Sequence, residues 1–298
     1  MTTAIVKSTK CDESTQEYSK RSHKSSRKYP SKSKSLSINI EIFKQMEINQ
    51  KITKNYIDDS KLENLRNNFI SWIFLVATKI DISNETIFNT ISMLDNLISN
   101  LKKEEFAKPR NFHSLTVTEP RNFQLLAVTC FFISYKIFEK KTITIAFIEN
   151  NLLHGKWIQD DIRRAEIFVL ESLEYNIHLN NFFSFYQFFE LLIKSHFEEL
   201  KVKQIQHLAI FIMQKALRLK EFMFEITPLE QVIIILNTVF LVLQQLINFE
   251  IERYSIFFME LTNVTSRQQF NEFEKFSTLL INNLTFSEEF VDKFNKIL

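Results

Sequence analysis

The chain has 298 residues, of which 45% are hydrophobic, so it can bury one large core or two of ordinary size. Its single Gly and four Pro argue against β-rich and α/β folds of this length, which need many more glycines for turns. Two cysteines, Cys11 and Cys130, are too few for a disulfide framework or a Cys-based zinc ribbon. The composition therefore predicts an all-α fold.

The net charge of +2 is unevenly distributed along the chain. Residues 1–40 hold nine Lys or Arg against three acidic residues, a net charge of +6, which leaves −4 for the rest. Residues 1–37 are also rich in Ser and Lys, and this composition is typical of a disordered basic tail. The first thirty residues lack the apolar stretch of a signal peptide, and the most apolar runs, 125–133 and 232–243, are shorter than the ~20 residues of a membrane span. We therefore expect an intracellular protein without a membrane anchor.

Hydrophobic periodicity predicts a series of helices in the first part of the chain. These helices are predicted at 38–48, 60–79, 83–99, 121–138, 143–153 and from Gln159 or Asp160 to about Leu173. Ser83 is a good N-cap for the third of them, with Thr86 three residues later. A polar loop with two prolines is expected at 101–120. Because the helix at 121–138 is apolar almost all round, we expect it to be buried on every side.

The second part of the chain repeats this pattern. Helices are predicted at 181–195, 201–220, 228–247, 250–261 and 266–284, with a short helix at 287–297. The helix at 228–247 is again apolar all round, and Thr227-Pro228 marks its start. Two successive five-helix units, each with a buried third helix, indicate a duplicated helical domain. The predicted domains are a tail at 1–37, a first fold at 38–180 and a second at 181–298.

Two segments of the first fold resemble the cyclin family. Residues 65–72 read Leu-Arg-Asn-Asn-Phe-Ile-Ser-Trp and resemble the family's Met-Arg-Ala-Ile-Leu-Val-Asp-Trp. Residues 93–99 read Met-Leu-Asp-Asn-Leu-Ile-Ser and resemble its Leu-Leu-Asp-Arg-Phe-Leu-Ser. The resemblance implies that Arg66 and Asp95 form a buried structural ion pair between two helices. Such a pair is physically reasonable, because a charge among apolar neighbours is costly unless it is paired.

Two further segments resemble the kinase-binding part of a cyclin. Residues 124–136 are similar to the central helix, with Lys136 at the family's spacing of twelve residues after Gln124. Glu166 lies in Arg-Ala-Glu-Ile-Phe-Val-Leu-Glu-Ser-Leu, which is similar to the family's Glu-containing helix. The resemblance implies that Lys136 and Glu166 hydrogen-bond main-chain groups beside the mobile C helix of a cyclin-dependent protein kinase. The other residues predicted for this surface are Leu170, Ile177 and Glu139. A single Lys or Glu is usually a solvated surface charge, but two matches at family spacing favour binding.

The same resemblance also implies a substrate-docking groove. The residues that match this groove, which in cyclins receives Arg-x-Leu peptides, are Leu65, Phe69, Trp72 and Gln124. Their spacing is equally that of a core stripe on a helix. The position of the family's acidic residue, which receives the peptide's cation, is occupied by Leu75.

The whole resemblance covers residues 38–285 and implies a function. The segment 41–47 and residues 56–57 resemble the N-terminal helix and linker of mitotic (A/B-type) cyclins. The resemblance therefore implies two tandem five-helix cyclin folds after an N-terminal helix. It also implies a regulatory subunit that activates a serine/threonine protein kinase in cell-cycle control, in the nucleus and cytoplasm.

Two other classes of protein fit the sequence less well than a cyclin does. An enzyme is not expected, because Asp58-Asp59 and Asp160-Asp161 lack the third acid of an Asp-Asp-x-x-Asp metal motif, and the only glycine, Gly155, cannot build a phosphate loop. We therefore predict no catalytic residue, metal or cofactor. A transcription-associated cyclin, or a general transcription factor with cyclin folds, is the alternative. Such factors usually bind DNA through a basic face, whereas the body here is acidic, so nucleic acid is not the expected partner.

Overall fold

The computed structural model describes residues 60–105, 117–177, 181–247 and 267–284. Within these ranges the regular secondary structure is helical, with no strand, which confirms the predicted all-α class. Several predicted elements lie outside the described residues, namely the tail at 1–37, the helices at 38–48, 250–261 and 287–297, and loop residues 106–116. No helix in the described ranges combines the length and apolarity that crossing a membrane requires.

The first half of the described chain, residues 60–177, contains five helical segments. They are α1 (Ser60–Ile80), α2 (Asn84–Glu105), α3 (Pro120–Phe138), α4 (Ile145–Phe147, continued by a π-helical turn at Ile148–Leu152) and α5 (Gln159–Ser172). Ser83 caps α2 as predicted, because its Oγ accepts a hydrogen bond from the Thr86 N–H at 3.2 Å. The predicted end of α2 at residue 99 is wrong: the next six residues, rich in Leu, Lys and Glu, are good helix formers and continue the helix.

Helix α3 is the centre of the first half. Thirteen of its nineteen residues are buried, which confirms the prediction from its all-round apolarity. It begins with Pro120 in its first turn, where a missing N–H costs no intrahelical bond. Helices α2 and α5 pack against it. The side chains that project from the exposed end of α3 are therefore held on a rigid rod.

The second half, residues 181–284, adds five more helices in the described ranges. They are α6 (Phe182–His196), α7 (Glu199–Ala216), α8 (Lys220–Glu225), α9 (Pro228–Ile247) and α10 (Arg267–Asn282). The single helix predicted at 201–220 is wrong: α7 ends at Ala216 in a tight turn, in which the N–H of Leu219 donates to the Ala216 carbonyl at 2.9 Å. The short α8 then buries Phe222 and Phe224.

Helix α9 begins where Thr227-Pro228 predicted it. Thr227 and Glu230 form a reciprocal cap, in which the Thr227 N–H donates to Glu230 Oε2 at 2.9 Å and the Glu230 N–H donates to Thr227 Oγ1 at 3.3 Å. The buried amide of Gln231 donates to the carbonyls of Phe222 and Met223, at 2.9 and 3.1 Å. These bonds anchor α8 to the start of α9.

The two halves share one hydrophobic core. Phe88 on α2 stacks on Phe183 of α6, with ring centroids 4.7 Å apart, and meets the edge of Phe182 at 5.3 Å. The buried apolar side chains on both sides of this contact belong to one continuous cluster. In addition, the Arg218 guanidinium donates to Ser71 Oγ at 3.0 Å. The halves are therefore packed against each other.

Candidate functional site

Arg66 and Asp95 meet in the interior between α1 and α2. The Arg66 Nε donates to Asp95 Oδ1 at 2.7 Å and its Nη2 donates to Oδ2 at 2.8 Å, a bidentate pair with both residues buried. The third guanidinium nitrogen, Nη1, donates to the Leu217 carbonyl at 2.6 Å. The guanidinium also lies 5.3 Å from the ring centroid of Phe224. One buried cation therefore joins α1, α2 and the end of α7.

Lys136 and Glu166 meet at the surface, although thirty residues separate them. Lys136 lies in the last turn of α3 and Glu166 in the middle of α5, and their side chains form an ion pair. The side chain of Lys136 is 42% exposed and that of Glu166 is 20% exposed. The ammonium also lies 4.2 Å from the ring centroid of Phe132, which fixes it over the helix that carries it. An ammonium has three N–H donors, so the pair retains donors for a partner's carbonyl groups.

Apolar side chains flank this ion pair. Leu170 lies one turn after Glu166 on the same face of α5, and Ile177 follows the end of that helix. Both are half-buried and pack against the core, so each keeps an accessible edge on a fixed base. We call Lys136, Glu166, Leu170 and Ile177 the charge-pair surface. It combines a cation, a carboxylate and apolar area on rigid elements.

Glu139, also predicted to bind the kinase, accepts hydrogen bonds from two residues at the start of α2. Its Oε1 accepts hydrogen bonds from the Ser83 N–H and Ser83 Oγ, both at 2.8 Å, and from Thr86 Oγ1 at 2.6 Å. Partial burial raises the pKa of Glu139, but the hydrogen bonds from Thr86 and Ser83 outweigh it, so its pKa lies below the ordinary value. The carboxylate therefore ties the end of α3 to the positive N-terminus of α2.

Replacing Glu139 with Gln is expected to lower the free energy of unfolding by about 1 kcal/mol at pH 7, because the charge is lost at a helix N-terminus. The pKa of Glu139 is depressed in the folded state, so its contribution is fully present above the unfolded value of about 4.3. It is lost as the pH falls through the folded pKa. Urea unfolding of wild type and variant should therefore differ at pH 7 and converge toward pH 3. The exposed Glu221→Gln is the control, and an equal difference at both pH values would contradict the assignment.

The residues of the predicted docking groove lie on α1 and α3. Phe69 is buried and stacks on the half-buried Trp72, with ring centroids 5.4 Å apart. Trp72 in turn meets the edge of Phe131 on α3 at 6.3 Å. Leu65 and Gln124 are half-buried. Phe69 and Trp72 thus both contribute to packing between α1 and the core, and peptide binding by these four residues stays a prediction.

Sequence reasoning missed two asparagines of α2. The buried amide of Asn89 donates to Ser134 Oγ at 3.0 Å and to the Ile177 carbonyl at 3.3 Å. The amide of Asn100 donates to the Ser172 carbonyl at 3.0 Å. No signal in the sequence separates them from Asn84 and Asn96 on the same helix, and only the fold shows which carbonyls they reach. These residues hold the end of α5 and the chain that follows it.

Clusters of metal-ligating side chains and thiol groups are other common sources of chemistry in a protein. In the parts of the chain that the structure describes, no group of three or more His, Cys, Asp or Glu side chains lies together in a way that suits a metal ion. Cys130 is fully buried in α3, and burial raises the pKa of its thiol. The thiol therefore behaves as a small apolar core group.

Comparisons with known proteins agree with this architecture. Residues 39–178 match the family model of the cyclin N-terminal domain. Over 145 residues the chain is 32% identical to S-phase entry cyclin-6 of Saccharomyces cerevisiae. This match covers 46% of the chain. The match spans only 33% of the length of that relative. A viral cyclin from herpesvirus saimiri has a similar fold, with a TM-score of 0.57, 15% identity and coverage of 88% of this chain and 97% of its own. Residues 39–178 are thus similar to a cyclin N-terminal domain, and the helical fold is similar to that of a viral cyclin.

Proposed function

We propose that this protein is a cyclin that binds and activates a cyclin-dependent protein kinase in cell-cycle control. The observation that carries the proposal is the meeting of Lys136 and Glu166 on the charge-pair surface. Their helices are joined through the core by buried residues of α3 and α5. A donor-rich cation and a carboxylate held in this way suit recognition of main-chain carbonyl and N–H groups in a partner.

Activation would follow from selective binding to one kinase conformation. A kinase is active when its C helix carries a glutamate into an ion pair with the catalytic lysine. A rigid surface that binds only the inward position of this helix shifts the population toward the active conformation. The protein would then be a regulatory subunit and not itself an enzyme. No catalytic role is assigned to any of its residues.

Several finer features belong to the same proposal. The domains would be two tandem five-helix cyclin folds at 38–180 and 181–298, after an N-terminal helix and a basic tail. The resemblance of residues 41–47 to mitotic cyclins favours a role in mitosis, whereas the yeast relative is named for S-phase entry. We propose that the protein acts in the nucleus and cytoplasm.

The test is the double replacement Lys136→Ala and Glu166→Ala. It is expected to abolish stimulation of a purified cyclin-dependent kinase toward histone, because both polar anchors of the interface are removed. The pair is on the surface, so the free energy of unfolding should change by less than about 1 kcal/mol. Kinase activity and urea unfolding are measured on the same preparations.

A second Lys–Glu pair provides the matched control. Lys194 and Glu190 on α6 are 51% and 21% exposed and lie 2.5 Å apart. Glu190 also accepts a hydrogen bond from Gln206, so their double replacement is at least as disruptive to the fold. It should leave kinase stimulation intact. Full stimulation by the Lys136 and Glu166 double variant would refute the site.

A further inference from the structure

Arg121 is an exposed cation that is held in one position at the start of α3. Its guanidinium lies over the ring of Trp157, 4.6 Å from the ring centroid, and its Nη2 donates to the Lys156 carbonyl at 3.0 Å. Trp157 itself is half-buried and packs against the core. An arginine that is stacked and hydrogen-bonded in this way loses little further freedom when it binds a ligand.

The turn that precedes α5 fixes both partners of Arg121. The Gly155 N–H donates to the Glu149 carbonyl at 2.8 Å, and the Lys156 N–H donates to the Leu153 carbonyl at 3.1 Å. Gly155 lies at φ 66°, in the left-handed region that glycine adopts without strain. The carbonyl and the ring that hold the guanidinium therefore belong to a closed turn, and the cation is preorganised.

Arg121 belongs to the row of α3 residues that faces α1. Gln124, of the predicted docking groove, lies one turn after it, and Phe131 lies two turns further on the same face. Phe131 meets the edge of Trp72 on α1, with ring centroids 6.3 Å apart. The distance along α3 from Arg121 to Phe131 is about 15 Å. An extended peptide of about five residues covers that distance.

The part of α1 that borders the groove offers no carboxylate. Residues 64–78 hold one charged side chain, that of Arg66, which is buried in its pair with Asp95. The apolar side chains that stay accessible in this stretch include the half-buried Trp72 and Leu75, which is 58% exposed. A peptide that lies along α1 would therefore find apolar contacts but no partner for an Arg or Lys of its own.

Positive charge predominates at the other border of the groove, around Arg121. The side chain of Lys156 is also exposed there. The nearest acidic residue along the chain, Glu119, accepts a hydrogen bond from Asn122 at 3.0 Å, and the first turn of α3 holds no acidic residue. The N-terminus of α3 adds a positive partial charge. A carboxylate is therefore the complementary group at this position.

We propose that Arg121, Lys156 and Trp157 form an anion subsite of the docking groove, and that the groove binds extended peptides that combine apolar side chains with Asp or Glu. A carboxylate can accept two parallel hydrogen bonds from one guanidinium. This charge preference is opposite to that of the Arg-x-Leu peptides that the resemblance implies. The inference deepens the function proposed above, because such peptides would belong to substrates of the activated kinase.

The test is binding of fluorescent peptides to the full chain in the absence of a kinase. Three peptides share the apolar core Leu-Ser-Leu-Phe and differ only in the residues on both sides of it, which are Asp, Ser or Arg. We expect the Asp peptide to bind about tenfold more tightly than the Ser peptide, and the Arg peptide to bind least tightly. The advantage of the Asp peptide should shrink at high salt, because exposed charges are screened.

Three variants assign the preference to particular residues. Arg121→Gln should bind the Asp and Ser peptides equally, with unchanged affinity for the Ser peptide, which shows that the groove is intact. Leu75→Glu should bind the Arg peptide more tightly than the Ser peptide, because it supplies a carboxylate on the exposed face of α1. Lys203→Gln, at a 59% exposed lysine of α7, is the control and should keep the wild-type preference.

Each outcome bears on a separate claim. Affinity for the Arg peptide that equals or exceeds affinity for the Asp peptide would overturn the subsite, as would an unchanged preference in Arg121→Gln. Failure to bind any of the three peptides would overturn the groove together with the subsite. Kinase stimulation is measured separately, so a chain that prefers the Asp peptide but stimulates no kinase would keep the subsite and refute the proposed function.

Discussion

Replacing Asp95 with Ala is expected to lower the free energy of unfolding by about 3–5 kcal/mol, the cost of leaving one partner of a buried pair without the other. The side chain of Arg66 is 3% exposed, so bulk water does not solvate its charge. The hydrogen bond to the Leu217 carbonyl and the ring of Phe224 would remain, but neither supplies the opposing charge. Urea unfolding followed by far-UV circular dichroism measures the change.

Two controls distinguish the cost of an unpaired buried charge from the general effect of losing a carboxylate on the free energy of unfolding. Asp160→Ala breaks an exposed pair with Arg163 on α5 and should cost less than about 1 kcal/mol. The double variant Arg66→Met, Asp95→Leu removes both charges and should be more stable than Asp95→Ala, since no buried charge is left unpaired. An Asp95→Ala variant as stable as Asp160→Ala would rule out this account of the pair.

The features that could be predicted from sequence are those with a local signal. The start of α9 follows from Thr227-Pro228 and the start of α2 from Ser83, because caps act within one turn of the chain. The burial of α3 follows from its all-round apolarity. The resemblance implied the pairing of Arg66 with Asp95, and the structure brings the two side chains together.

The features that could not be predicted depend on contacts between distant residues. The third partner of Arg66 is a backbone carbonyl at Leu217, and a carbonyl has no signature in the side-chain sequence. Glu139 looks like any charge at a helix end, and only the fold shows that it meets Ser83 and Thr86. The break between α7 and α8 has neither Gly nor Pro to mark it; the tight turn after Ala216 and the burial of Phe222 accompany it.

Replacing Phe88 with Ala is expected to cost about 3–5 kcal/mol, the range for deleting a large buried aromatic side chain. Phe88 is 1% exposed, and it contacts Phe74 within the first half as well as Phe182 and Phe183 of the second. The cavity would therefore open at the junction of the two halves. The expected consequence is a loss of cooperativity as well as a loss of stability.

The two tryptophans make that consequence measurable, because Trp72 and Trp157 both lie in the first half, whereas far-UV circular dichroism reports every helix. In the wild type the fluorescence and dichroism transitions should coincide, as expected for one cooperative unit. In Phe88→Ala they should separate. Phe240→Ala, which opens a cavity beside Phe197 within the second half, should lower stability without separating them, because the junction is intact. Coincident transitions in Phe88→Ala would mean that the remaining links, chiefly Arg66 to the Leu217 carbonyl, suffice to couple the halves.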